Sequence, residues 1–383
     1  SGGDGGMKWE KKKLCECTEY ITDGDHQPAP KADKGVHFIK IKDIVNNQVS
    51  FDAQVYVPQE YYDNLPMERK PQKEDVLYTI VGSFGIPSYV QTDELFCFER
   101  NIALLHPNKD IEPRFLYYSL KNPAFYKGVE IVANGSAQKL IPLSKLKDLK
   151  ILVPDKEAQR HIADILSAYD DLIENNQRQI KLLEEAAQRL YKEWFVDLNF
   201  PGHENTKIVD GVPEGWSRGL LKELISVNYG KDHKKAPDDG NIPVYGSGGL
   251  MRKCNKSLFS GEAVLIPRKG SLNNIMYVDE TFWTVDTMFY ATMKQPHTAV
   301  FVYFFVKAFD MYSMNIGAAV PSMTTKILDA MDVVIPDKET LEKFDKLTKT
   351  YFNKIKTLQG QNERLKIARD LLLPKLMSGE VEV

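Results

Sequence analysis

Apolar residues in the stretch 154–194 recur at alternating spacings of three and four, which is typical of a coiled-coil helix. No Pro or Gly interrupts the pattern between Pro154 and Pro201, and Asp155 stands where an N-terminal cap is expected. At 1.5 Å per residue, this helix would be roughly 60 Å long. Because its apolar stripe is narrow, the helix needs a partner to bury it.

The partner is predicted in the same chain, since residues 336–377 align without a gap with the first stretch at an offset of 182. The Asp-Lys-Glu triplet of residues 155–157 recurs at 337–339. Gly360 and Pro374 have no counterpart in the first copy and are expected to weaken or bend the second helix. The predicted seam residues are Ile162, Ile165, Tyr169, Leu172, Leu183, Leu190, Phe344, Leu347, Tyr351, Leu358, Leu365 and Leu372.

The rest of the chain reads as two globular regions of short strands and helices, which makes the fold class α+β. β-Branched runs at 36–41, 76–81 and 102–105 predict strands, and 113–125 predicts a short aromatic helix. The predicted segments are a cloning remnant at 1–6 before Met7, a first globular domain at 7–153, a central helix at 154–198, a linker at 199–215, a second globular domain at 216–335 and a C-terminal helix at 336–383.

The globular regions themselves repeat loosely, so internal duplication is predicted for the whole chain. Trp216 corresponds to Trp9, residues 230–233 to 24–26, and 301–306 to 115–120. Two equivalent units joined by self-complementary helices favour pseudo-twofold symmetry. If the helices pair antiparallel, the molecule suits a ligand with two half-sites, and DNA half-sites one turn apart lie about 34 Å from each other.

Composition limits the function classes. The net charge of −3 does not indicate nucleic-acid binding, so that function would depend on local basic clusters or on partner subunits. No apolar run is long enough for a membrane span, and no secretory signal is recognised. The four cysteines are scattered, and the alternation of Cys15 and Cys17 predicts a strand rather than a metal site. A reducing cytoplasm fits this pattern.

Five motifs occur in a recognisable order. Two stand at equivalent helix ends, EAAQRLYKEWFVDLNFPG at 185–202 and ARDLLLPKLMSGEV at 368–381, and three lie in the globular regions, GSAQKLIPLSKL at 135–146, GVPEGW at 211–216 and IPVYGSGG at 242–249. Together they resemble the specificity (S) subunit of type I restriction-modification enzymes. The resemblance covers nearly the whole chain from Met7.

The resemblance implies a non-catalytic subunit with two target-recognition domains, each reading one half of a bipartite double-stranded DNA site. It also implies that a long antiparallel two-helix coiled coil separates the domains and docks two modification (M) subunits. No cofactor is then expected in this chain, because the M subunits would carry the S-adenosylmethionine chemistry. Translocase and nuclease (R) subunits would join that complex.

Two motifs that could suggest catalysis do not support it. The segment KNPAFY at 121–126 resembles a methyltransferase loop, but no glycine-rich nucleotide loop accompanies it in a βαβ unit. The two PDKE boxes at 154–157 and 336–339 lie at the starts of long helices, where an acidic residue acts as a cap.

DNA-contacting residues are predicted in loops that offer donors, acceptors and positive charge. In the first domain they are Asp25, His26, Lys40, Lys42, Ser83, Asn134, Ser136, Gln138 and Lys139. In the second they are Lys231, His233, Lys234, Lys235, Tyr245, Ser247, Arg268, Lys269, Ser271, Asn273 and Lys326. The aromatic groups at 115–118 and 301–305 are expected in the core, and Trp194 and Phe195 are expected against their own globular domain.

Two other classes stay open at the level of the sequence. The chain could be a coiled-coil adaptor whose globular domains bind proteins, which predicts no sequence-dependent protection of DNA. It could also be a fragment of a fused restriction-methylation enzyme, which predicts methyltransferase motifs upstream in the gene.

Overall fold

The computed structural model describes residues 9–133, 139–314 and 322–383. Chain contacts divide it into two compact units, and each long helix contributes one half to each. The first unit comprises residues 9–176 and 360–383, and the second comprises residues 177–359. Each unit is thus a globular region together with its own pair of helical segments.

The first unit mixes short strands with short helices. Its strands are β1 (Glu10–Lys13), β2 (Thr18–Asp23), β3 (Val36–Ile39), β4 (Ile44–Val45), β5 (Gln48–Val49), β6 (Tyr56–Val57), β7 (Val76–Thr79), β8 (Pro87–Tyr89), β9 (Phe96–Phe98), β10 (Ile102–Pro107) and β11 (Lys150–Val153). Its helices are α1 (Leu14–Cys17), α2 (Gln59–Asp63), α3 (Pro113–Lys121), α4 (Pro123–Val132) and α5 (Leu143–Asp148), followed by the first half of α6 (Lys156–Tyr191).

The second unit is built from longer strands. They are β12 (Ile208–Val209), β13 (Val212–Pro213), β14 (Ser217–Leu220), β15 (Ile225–Tyr229), β16 (Ile242–Gly246), β17 (Gly249–Cys254), β18 (Phe259–Pro267), β19 (Met276–Thr284), β20 (Met288–Met293) and β21 (Asp332–Ile335). The helices are α7 (Ala299–Lys307), α8 (Thr325–Asp329) and α9 (Lys338–Ser378), which ends in the first unit.

Sheet topology confirms the internal duplication. In the first unit the strands β2, β10, β7 and β8 form an antiparallel sheet in that order. In the second unit β15, β20 and β18 occupy the positions that correspond to β2, β10 and β7. A parallel pair also occurs in each unit, β3 with β9 and β16 with β19. The entry strand pairs with the strand before the long helix in both units, β1 with β11 and β14 with β21.

Within the first unit, the two helical segments run antiparallel. Asn176 Nδ2 donates to Asn362 Oδ1 at 2.8 Å, and Arg369 binds Asp170 further along the pair. From Asn176 back to Asp170 along α6, the partner in α9 moves forward from Asn362 to Arg369, so the two segments run in opposite directions. Ile162 and Leu376 of these segments are buried in the core of the globular region.

In the second unit the two helical segments meet through aromatic side chains. Phe344 of α9 packs on Tyr191 and Trp194, whose ring centroids lie 6.4 and 5.8 Å away. Phe195 packs on Trp216 at 5.8 Å and on Phe344 at 4.8 Å. The prediction that Trp194 and Phe195 lie against their own globular domain is confirmed.

The predicted seam is wrong at two positions. Leu172 is 51% exposed and Leu347 is 46% exposed, although both were placed in the buried stripe. Their neighbours Ile173 and Thr348 are buried instead. At these two positions, the buried side chain is therefore one residue further along the helix than predicted.

Several local expectations are also corrected. Cys17 lies in the short helix α1 rather than in a strand, and the single helix expected at 113–125 is two helices, α3 and α4. Helix α9 runs from Lys338 to Ser378 and includes Gly360 and Pro374, and the expectation that they weaken or bend it stays a prediction. Among the described residues, no helix is long and apolar enough to cross a membrane.

Candidate nucleic-acid interface

Two predicted loops of the first unit meet at Glu99. Asp25 forms a parallel bridge with Glu99, whose Oε1 accepts a hydrogen bond from the Ile41 amide at 2.7 Å. Ile41 lies in the turn that carries Lys40 and Lys42, and Lys42 is exposed. The structure therefore brings Asp25, Lys40 and Lys42 into one cluster.

Asp25 itself serves to hold this cluster together. Its carboxylate accepts hydrogen bonds from the Tyr61 hydroxyl at 3.0 Å, Arg69 Nη1 at 3.3 Å and the Gln27 amide at 3.2 Å. Burial alone would raise the pKa of Asp25, but these donors lower it below its ordinary value. Burial and the bond to Asp25 raise the pKa of Tyr61 to about 12. The neighbouring His26 is exposed, and its Nε2 lies 3.1 Å from Asp23 Oδ2.

A second cluster of the first unit forms around the turn after β7. The Gly82 amide donates to the Lys139 carbonyl at 3.2 Å, which places Ser83 and Lys139 together. Lys139 Nζ lies 5.7 Å from the ring centroid of Phe84, and Phe84 stacks on Tyr126 at 5.9 Å. Both serine and lysine are exposed. The predicted residues Asn134, Ser136 and Gln138 lie outside the described residues.

The lysine-rich loop of the second unit starts at Gly230, where there is no space for a side chain. A Cβ on Gly230 would lie 1.9 Å from the Val285 carbonyl oxygen, just as one on Gly24 would lie 2.3 Å from the Phe98 oxygen. These equivalent contacts confirm the predicted correspondence of residues 24–26 with 230–233. The Lys231 carbonyl accepts from Trp283 Nε1 at 3.0 Å, which fixes the start of the loop.

The end of that loop is fixed by Arg252, a residue of β17. Its guanidinium donates to the carbonyls of His233 and Ala236, the latter at 2.8 Å, and binds the Asp238 carboxylate. Asp232 caps the short turn by accepting from the Lys234 amide at 3.0 Å. Sequence reasoning missed Arg252, because its partners lie 14 to 19 residues away and no local pattern links them. Lys231, Lys234 and Lys235 are consequently exposed on a well-supported loop.

Four other predicted residues of the second unit lie at or beside the turn after β18. The Ser247 carbonyl accepts from Asn274 Nδ2 at 2.8 Å, which joins the loop after β16 to this turn. Arg268 lies 5.4 Å over the ring of Tyr229, and its Nη1 donates to the Asp286 carbonyl at 3.2 Å. The structure thereby groups four predicted residues, Ser247, Arg268, Lys269 and Ser271.

Three predicted residues do not join that group as free donors or acceptors. Asn273 uses both amide atoms, Nδ2 toward Asp310 at 3.0 Å and Oδ1 toward the Met311 amide at 2.8 Å. Tyr245 donates to Glu280 Oε1 at 2.6 Å, and burial followed by this bond raises its pKa. Lys326 is exposed on α8. Asn273 and Tyr245 therefore act first as structural residues.

The described residues contain no group of three or more His, Cys, Asp or Glu side chains that could hold a metal ion. Burial raises the pKa of the Cys17 thiol to about 11 and that of Cys97 to about 12, so neither is a thiolate at neutral pH. Phe115 and Phe301 are buried, as predicted for core residues. The surfaces offer exposed cations and polar groups on supported loops, which is the chemistry of phosphate and base contacts.

Comparison with known proteins gives a consistent result. Residues 7–185 and 213–366 each match a family model described as type I restriction modification DNA specificity domain. The chain is 26% identical to the type I restriction enzyme MjaIX specificity subunit of Methanocaldococcus jannaschii, over 74% of this chain and 72% of that protein. It is 23% identical to the HindI specificity subunit of Haemophilus influenzae, over 90% of this chain and 94% of that protein.

A solved structure shares the fold. It is the crystal structure of a type I restriction-modification system S subunit from M. genitalium, with a TM-score of 0.62 and 19% identity. The match covers 98% of both chains.

Proposed function

Since this chain belongs to the type I restriction-modification DNA specificity family, we propose that each of its two units reads one half of a bipartite site in double-stranded DNA. Members of this family are specificity subunits, so the chain is a non-catalytic, DNA-recognising component of a restriction-modification system. The proposal of a bipartite site rests on the duplication. The family model matches the chain twice, and each match covers one globular region with its own loops.

The long helices are proposed to act as an antiparallel coiled-coil spacer that fixes the gap between the half-sites. The antiparallel pairing in the first unit and the packing of Phe344 on Trp194 in the second support this role. Asn176 and Asn362 are buried in the helix pair and bonded to each other, and a buried polar pair of this kind fixes the register of paired helices. A fixed register is what a spacer of defined length requires.

The helices are also proposed to dock two M subunits. Long helices in water normally expose polar residues, but α6 and α9 also expose large apolar side chains. They are Leu172, Leu182, Leu347, Ile367 and Leu371. In this proposal S-adenosylmethionine binds in the M subunits rather than in this chain, the R subunits join the same complex, and the complex works in the cytoplasm.

The proposal is tested by mapping methylated adenines. The chain is expressed with its M subunit in cells that lack other adenine methyltransferases, and the genomic DNA is sequenced for modified bases. We expect two short specific half-sites separated by a gap of constant length and free sequence. A single continuous site, or no sequence preference, contradicts the bipartite reading.

A further inference from the structure

A Gly-Ser turn occurs at the same place in both units, although its two copies are not related by the offset of 182 that relates the long helices. Gly82-Ser83 follows β7 in the first unit, and Gly270-Ser271 follows β18 in the second. The glycines have φ angles of +70° and +83°, in the left-handed region that favours glycine. The same dipeptide therefore has its glycine in the same φ region after the corresponding core strand.

The surroundings of these turns correspond as well. The Ile141 amide donates to the Ile80 carbonyl at 2.9 Å, and the Met323 amide donates to the Arg268 carbonyl at 2.9 Å. Isolated bridges also join the next positions, Val81 to Leu140 and Lys269 to Ser322. Ile141 and Met323 are related by the offset of the long helices, so the two turns are structurally equivalent.

Each turn is exposed beside a cation that lies over an aromatic ring. In the first unit this cation is Lys139 over Phe84, and in the second it is Arg268 over Tyr229. Lys269 adds a second, exposed positive charge to the turn of the second unit. An exposed hydroxyl next to a held cation matches the chemistry of a DNA phosphate.

The neighbouring loops have diverged in chemistry. The loop after Gly24 carries an acidic residue, Asp25, that is held by Arg69 and Tyr61, whereas the loop after Gly230 presents exposed lysines. Two half-sites of different sequence share the sugar-phosphate backbone but not their base edges. A feature common to both readers is therefore expected to contact what is common to both half-sites.

We infer that the Gly82-Ser83 and Gly270-Ser271 turns bind the DNA backbone at equivalent places in the two half-sites and add affinity without selecting bases. This inference rests on the proposed function and specifies how each unit holds its half-site. In this arrangement the serine hydroxyl donates to a phosphate oxygen, and the adjacent cation supplies the charge.

The test uses the complete complex with M subunits and two DNA probes of equal length. One probe carries the site found by methylation mapping, and the other has both half-sites scrambled. Ser83→Asp and Ser271→Asp place a negative charge on an exposed turn, so each should lower affinity for both probes by about tenfold. The ratio of the two affinities and the mapped recognition sequence should stay unchanged.

Ser217→Asp is the matched control, because it adds the same charge at an exposed serine of β14 outside both turns. Lys139→Gln and Lys269→Gln provide variants without new charge, and each should reduce the slope of affinity against salt. Serine variants that behave like Ser217→Asp overturn the inference, as does a changed base preference in one half-site. If the unmodified complex binds both probes equally, the proposed function itself fails.

Discussion

At one equivalent position, the contact between the globular region and the helix pair is ionic in the first unit and aromatic in the second. In the first, Asp170 of α6 accepts a hydrogen bond from the Tyr118 hydroxyl at 2.7 Å, binds Arg369, and lies 3.9 Å from Lys121 Nζ. In the second, the position equivalent to Asp170 is Phe352. Its ring lies 4.7 Å from Tyr277, 6.0 Å from Tyr303 and 6.4 Å from Phe304.

The partners of these residues have changed together. Tyr118 corresponds to Phe304, and Arg369 corresponds to the buried Ala187. Burial lowers the pKa of Lys121 in the first unit despite the nearby Asp170. The comparison teaches that the duplicated backbone tolerates either an ionic network or an aromatic cluster at this position.

The largest effect is expected from Asp170→Ala. Removing this carboxylate breaks the ion pair of Lys121 in a poorly solvated site and leaves Arg369 paired only with the more exposed Asp370, which should cost about 3 kcal/mol of the unfolding free energy of the first unit. Hydrogen exchange of residues 113–121 should rise accordingly. The combined variant Tyr118→Phe, Asp170→Phe, Arg369→Ala copies the second unit and should regain most of the loss. No recovery would show that the two junctions are not interchangeable.

Phe352→Ala should destabilise the second unit by about 2 kcal/mol, since it removes a partly buried ring from an aromatic cluster. Hydrogen exchange of residues 299–307 reports the change. Because the Phe352 ring carries no charge and the Lys349–Glu262 ion pair beside it is kept, raising the salt concentration should change the loss little, and Phe352→Leu should recover part of it. A strong salt dependence would contradict the apolar character of this junction.

The lysine loop of the second unit should contribute more to phosphate binding than the corresponding loop of the first. Lys234→Ala with Lys235→Ala should weaken DNA binding by the complex by about tenfold at moderate salt and reduce the slope of log affinity against log salt by about 2. The control is His26→Ala in the first unit, where the slope should change little. An unchanged slope in the lysine variant removes these residues from the interface.

Substitutions at the two helix caps should show the smallest difference in stability between the units. Asp337 accepts from the Thr340 amide at 2.9 Å and from Trp216 Nε1 at 2.8 Å, whereas Asp155 accepts from the Ala158 amide at 2.9 Å. Asp337→Ala should therefore cost about 1 kcal/mol, and Asp155→Ala should cost less. Local hydrogen exchange at the start of each helix measures both, and equal losses would show that the tryptophan bond adds nothing.

Acid provides a second test of the Asp337 cap. Burial alone would raise the pKa of Asp337, but hydrogen bonds from Thr340 and Trp216 lower it below its ordinary value. A lowered carboxyl pKa stabilises the fold above the unfolded-state pKa of about 3.9, and this stability is lost as the pH falls through the folded-state value. Asp337→Asn should flatten that part of the acid unfolding curve.

Much of the architecture could be predicted from the sequence because it depends on periodic patterns. The long helices, the cap at Asp155 and the duplication all follow from spacing and from a constant offset. The seam could not be placed exactly, because which of two adjacent apolar residues is buried, Leu172 or Ile173, depends on tertiary contacts. Periodicity alone carries no information about those contacts.

Site residues were harder to predict, because their roles depend on distant partners. Asp25 is a polar loop residue of the kind that contacts DNA, but its carboxylate accepts hydrogen bonds from Tyr61 and Arg69. Neither partner is close to Asp25 in sequence. The equivalence of Ser83 and Ser271 was hidden because insertions between the strands change the offset. Only hydrogen bonds to the flanking segments reveal it.

The central claim is that the paired helices set the separation of two half-sites, and inserting one heptad into both helices tests it most directly. The insertions belong between Asn176 and Gln177 and between Gln359 and Gly360, where the two units meet in sequence. Seven residues add about 10 Å of helix, or roughly 3 base pairs of DNA. Methylation mapping should then find both half-sites unchanged and the gap longer by that amount. A constant gap, or an altered half-site, would contradict the account.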